Sequence, residues 1–155
     1  MKSTVSWSAA IFALVVVNSM IVGKEQTIAE GQCVLLKLAP VDPRSLMQGD
    51  YMTLRYQVAR EAGKQPLEAS GKVVLKLDED NVGTFVRLDD GSPLGENEIV
   101  IRYRKRRGLR IGAEAYFFEE GTGSIYENAD YGELKVTESG DSVLIGLRDK
   151  NRLVL

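Results

Sequence analysis

Residues 5–23 place the tightest limit on what this chain can become, because they form an almost wholly apolar run without a single charge. As a helix rising about 1.5 Å per residue, such a run is roughly 28 Å long, close to the ~30 Å of a bilayer hydrocarbon core. Lys2 is the only charge before it, and Asn18 and Ser19 stand out as polar in its second half. The helical pattern can continue through Lys24-Glu25-Gln26-Thr27-Ile28-Ala29-Glu30 and stop at Gly31, a residue type suited to ending a helix. The run therefore serves as a membrane anchor or a secretory signal. Val17-Asn18-Ser19 is a poor small-x-small cleavage site, and the apolar Met20-Ile21-Val22 follows it, so an uncleaved anchor is preferred. Cys33 lies too far along to act as a lipid-attachment cysteine. Lys2 and the amino terminus on one side face Lys24 and Lys37 on the other, so the positive-inside bias is close to even. The layout (short basic start, apolar core, long polar remainder) favours export of the larger part.

Two units are expected: residues 1–23 as anchor, with the helix able to reach residue 30, and residues 24–155 as one soluble domain. The soluble part holds 19 basic and 22 acidic residues, a net charge of −3. That mild acidity gives no support for general nucleic-acid binding. The chain has no histidine, which excludes histidine-based triads. With one cysteine, an intramolecular disulfide is impossible and a zinc site of the usual cysteine/histidine type is excluded. No cofactor is implied.

Beyond Gly31 apolar residues recur mostly at period two, the mark of half-buried strands. Residues 33–38, 51–60, 71–77, 82–88, 98–104, 109–111, 133–136 and 142–147 read as strands, with a last short one over 152–155. Within 51–60, Met52, Leu54, Tyr56 and Val58 share one face, the expected core face. Asp78-Glu79-Asp80-Asn81, Asp89-Asp90-Gly91 and Ser139-Gly140-Asp141 read as turns, the last as a hairpin. Only residues 112–120 suggest an internal helix. Short strands about 10 residues apart predict an all-β domain, a small antiparallel barrel or sandwich, following one N-terminal transmembrane helix.

Three stretches stand out as candidate sites. In Asp42-Pro43-Arg44, Pro43 fixes a rigid turn, and Gly49-Asp50 leads into the strand that begins at Tyr51. One account makes this segment a structural clasp: Asp50 accepts loop hydrogen bonds or pairs with Arg44, while Leu54 and Tyr56 anchor the strand. The other makes Asp42, Arg44, Asp50 and Arg55 a contact surface, since charge-assisted pairs are directional. The second stretch is the basic run Arg102-Tyr103-Arg104-Lys105-Arg106-Arg107, which suits a polyanion; on an exported domain anionic head groups become the sharper candidate. Its bland account is a solvated strand end. In the third, Tyr116-Phe117-Phe118-Glu119-Glu120, three adjacent aromatics cannot share one strand face, so some pack inward and one is presented.

Gly49-Asp50-Tyr51-Met52-Thr53-Leu54-Arg55-Tyr56 resembles the signature of the G-D-Y-x-x-L-x-Y family, with every fixed position present. Tyr116, Phe117, Glu120, Gly121 and Gly123 are similar to its Tyr-Phe-x-x-Glu-Gly-x-Gly pattern, and Tyr131-Gly132-Glu133-Leu134 is also familiar. The resemblance covers most of residues 20–147. It implies a bacterial protein with a single inner-membrane anchor and a periplasmic domain, in a family without an established activity. Relatives often occur beside multi-pass membrane proteins, which implies an integral membrane partner. Leu46-Met47-Gln48-Gly49-Asp50 is also similar to an element of type I signal peptidases, but Val41 and Arg44 stand where those enzymes place the nucleophilic serine and a proline. The lysine of their dyad is missing as well.

The expected function is thus a non-enzymatic, protein-binding accessory module of an envelope membrane complex, contacting its partner through Asp42, Arg44, Asp50, Arg55, Tyr116 and Glu120. The alternative is a domain that binds an anionic envelope ligand or lipid head groups through Arg102, Tyr103, Arg104, Lys105, Arg106 and Arg107. A carboxylate-type hydrolase using Asp42 and Asp50 is the third reading, and requires those groups to converge with raised pKa values.

Overall fold

A computed structural model describes residues 2–39, 51–112 and 114–155. The chain begins with one unbroken helix, α1 (Lys2–Glu30). Its apolar side chains from Ile11 to Val22 stand free of the rest of the fold. Asn18 and Ser19 satisfy themselves within the helix, donating to the carbonyls of Leu14 and Val15. The helix ends as its glycine implies: the Gly31 amide bonds to the Thr27 carbonyl at 3.0 Å. A Cβ at Gly31 would meet that carbonyl oxygen and stand 3.0 Å from the Val136 amide. Thr27 is buried, and α1 packs against the last two strands. The helix therefore runs into the domain without a linker.

Among the described residues nine strands follow, with two short helices. β1 (Gln32–Lys37), β8 (Tyr131–Val136) and β9 (Ser142–Arg148) form one sheet in the order β1-β8-β9. A second sheet runs β4-β3-β5-β6, from β3 (Ser70–Leu77), β4 (Gly83–Leu88), β5 (Glu98–Lys105) and β6 (Leu109–Arg110). β2 (Tyr51–Thr53) and β7 (Ala115–Phe117) make a two-stranded ribbon. Every strand pair is antiparallel. The main sheets meet on both sides: the Leu35 amide bonds to the Asn81 carbonyl, and the Arg102 amide to the Gly140 carbonyl. The result is the expected all-β domain after one helix, built as a partly closed barrel.

Alternation fills its centre. Val34 and Leu36, Val73 and Leu75, Ile101 and Tyr103, and Leu134 and Val136 all join one core. Gly140 takes φ +89°, which lets the β8–β9 turn lie against β5: a Cβ there would stand 3.2 Å from the Arg102 amide.

Three expectations are corrected. The short strand expected over 152–155 is a single bridge between Val154 and Arg148. Met52, Leu54, Tyr56 and Val58 are all in the core, but the strand ends at Thr53, and α2 (Gln57–Ala62) follows. Val58 and Ala62, four apart, turn inward from one helical face, a spacing that the two-residue pattern leading to Val58 hid. Residues 112–120 contain no helix in their described part. Gly112 (φ +94°) and Gly121 (φ +84°) bracket strand β7, and the only helix nearby is the single turn α3 (Gly123–Tyr126).

Candidate functional site

The signature strand enters the core through its last fixed residues. Leu54 and Tyr56 are each 1% exposed. The Leu54 amide bonds to the Glu114 carbonyl at 2.8 Å, and the Arg55 carbonyl accepts the Ala39 amide. Burial raises the Tyr56 hydroxyl far above its ordinary pKa, with the charge of Glu114 adding to it. The core therefore holds it neutral. Arg55, between two core residues, is forced outward.

Arg55 opens onto a groove of about 1030 Å³. Arg60 and Lys64 reach it from α2 and the loop behind it, Arg107 and Arg110 from the β5–β6 hairpin, and Glu114 is the lone carboxylate among its described lining residues. Leu54, Leu109, Ala115 and Phe117 give it apolar surface. Phe117 is 74% exposed, its ring 5.5 Å from that of Tyr51. Neighbouring cations and one open aromatic make an anion-attracting, sticky surface of the kind found at protein interfaces.

The aromatic trio sorts by strand alternation. Tyr116 and Phe118 turn in and pack on Tyr126, with ring centroids 5.1 and 5.2 Å away, while Phe117 is presented. Burial pushes the Tyr116 hydroxyl up, and its contact with Tyr126 adds to the shift. Tyr116 and Glu120 do not line the groove that Arg55 lines. Asp42, Arg44 and Asp50 lie outside the described residues.

The basic run divides into three environments. Tyr103, 4% exposed, is a core residue whose ring also lines the floor of a second hollow. Arg107 lines the groove. Arg102, Arg104 and Arg106 line the second hollow. Arg102 is held by Asp141 at 3.3 Å, and the Lys105 ammonium donates to the Leu67 carbonyl. Arg60, Lys64 and Arg110 were not foreseen. Outward Arg110 between inward Leu109 and Ile111 is an alternation the sequence carries, whereas Arg60 and Lys64 depend on α2.

A third cluster lies on the outer face of β1-β8-β9. Glu133 accepts from Arg148 Nη2 and Nε, at 2.7 and 2.8 Å, and from the Cys33 thiol at 3.1 Å. The guanidinium holds the Glu133 carboxyl below its usual range, and burial pushes the thiol up, with Glu133 adding to that shift. A raised thiol pKa means little thiolate, which weakens Cys33 as a nucleophile, and the three side chains tie β1, β8 and β9 together.

A family model described as GDYXXLXY protein matches residues 13–147. No curated protein and no solved structure matches the chain.

Proposed function

The chain belongs to the GDYXXLXY protein family, and from that premise we propose that it is a single-pass, membrane-anchored envelope module that binds a protein partner without catalysing a reaction. Its β domain stands on the exported, periplasmic side of a bacterial inner membrane. The partner is an integral membrane protein that offers an exposed acidic segment with an apolar side chain to the groove.

The observation that carries this reading is the groove itself. Arg55 of the signature, Arg60, Lys64, Arg107 and Arg110 converge from separate elements beside an exposed Phe117. Cations of this kind would steer an acidic partner, and the aromatic supplies an anchor. The anchor reading is supported by α1, long and apolar enough over Ile11–Glu30 to cross a membrane by length and composition. Lys24 and Glu25, and the packing of Thr27 on the domain, set the end of its apolar run at Gly23.

Tagged full-length protein, extracted from its own membranes in mild detergent, tests the reading alongside an R60E/R107E variant. A stoichiometric membrane protein recovered with the parent and lost from the folded variant is the expected result. Recovery of the parent alone, or retention of the partner by the variant, overturns it.

A further inference from the structure

The second hollow, about 640 Å³, lies where α1 meets the sheet. Lys24 of α1, Lys72 of β3, Arg102 and Arg104 of β5, Arg106 and Arg110 line it, with Glu114 and Asp141 as the carboxylates. Arg102 alone of these six cations forms an ion pair among the described residues. The strand register makes the arrangement costly. Lys72 sits directly opposite Arg102, and Arg104 directly opposite Arg110. Like charges facing each other across a sheet destabilise it. A solvated face needs no such pairing, and an anion lying between the paired cations would relieve it.

Lys24 fixes where that anion comes from. It is the first residue after the apolar run, so it marks the level at which α1 leaves the hydrocarbon. The other five cations line the same hollow as Lys24. We propose that this face binds the anionic phosphate head groups of the leaflet from which α1 emerges, clamping the β domain onto the bilayer. The inference rests on reading α1 as an uncleaved anchor. It concerns a surface that adjoins the partner groove: Arg110 and Glu114 line both, whereas Lys24, Lys72, Arg102, Arg104 and Arg106 do not line that groove. Each basic residue near an anionic surface strengthens attachment by about fivefold, and the attraction fades as salt shortens the screening length.

The test uses full-length protein in nanodiscs of pure phosphatidylcholine or of phosphatidylcholine with phosphatidylglycerol, read by amide hydrogen exchange over residues 70–74 and 102–112. Anionic discs should slow exchange there by about fivefold or more. High salt should reverse the effect, and K72Q/R104Q should remove it. R60E/R107E should keep it. Soluble glycerophosphate added to phosphatidylcholine discs should give no protection; equal protection would make the site one for free phosphate and overturn the lipid assignment. Identical exchange in both discs overturns the inference and leaves the anchor standing. Failure of the chain to enter discs at all overturns both.

Discussion

The ring of Tyr56 rests on the bare backbone of Gly132. A Cβ at Gly132 would stand 2.9 Å from Tyr56 Cε1 and 3.1 Å from its hydroxyl. The same relation recurs across the other sheet, where a Cβ at Gly71 would lie 2.8 Å from the Tyr103 hydroxyl of its registered partner. Each buried tyrosine thus needs a glycine beneath it. The last tyrosine of the signature is explained by β8, far away in sequence.

Gly132→Ala should destabilise the protein by about 1–3 kcal/mol, because the core has no room for the added methyl group. Gly146→Ala in the neighbouring strand meets its nearest heavy atom, Glu133 Oε2, only at 3.8 Å and should change little. Thermal unfolding of both variants in the same detergent checks the contrast.

The Glu133–Arg148 pair gives a prediction for acid. The folded-state pKa of Glu133 lies below its ordinary value of 4.5, so its stabilisation is complete above that pH. It is lost as the pH falls through the depressed value. Glu133→Gln should cost about 1–3 kcal/mol at neutral pH, and the gap between variant and parent should close as the pH falls through that depressed value. Denaturant titrations at several pH values measure the gap. A gap that persists in acid would place the effect in packing.

Cys33 should react slowly with a thiol reagent in the folded chain and rapidly once unfolded, since burial and then Glu133 both disfavour its thiolate. Glu133→Gln should speed the folded-state reaction, measured under conditions where the variant remains folded. Equal rates in folded and unfolded protein would contradict the half-buried, Glu133-bonded placement.

Removing one member of a like-charge pair should help the fold. Arg104→Ser relieves the repulsion with Arg110 and should stabilise the protein by about 0.2–1 kcal/mol at low ionic strength. The gain should shrink in high salt. Unfolding in uncharged detergent at two salt concentrations reads this directly, and a destabilised variant at low salt would remove the argument for mutual repulsion.

Much of the barrel was legible because strand residues declare their faces locally. Val34 and Leu36, and Val73 and Leu75, need no distant information to be recognised as inward. The inward turn of Tyr103 between outward Arg102 and Arg104 is legible on the same ground. The helix α2 was hidden because Val58 satisfies a two-residue and a four-residue period at once. The groove was out of reach for a different reason. Arg55 and Arg107 were singled out for separate roles, and only the folded arrangement that sets the signature and the β5–β6 hairpin around one groove brings them together. Register is a long-range property, and one sequence does not print it.

The direct passage of α1 into β1 through Gly31 makes the molecule a keyed shaft. A helix turns about 100° for each residue it gains. One residue inserted before Thr27 would swing the domain about a quarter turn around the shaft, and two would carry its cationic side more than halfway round. The distance between bilayer and domain would hardly change, yet the face offered to a neighbour would be another one. Spacing at this junction sets a compass bearing, and selection acting on it would act on direction more than on reach.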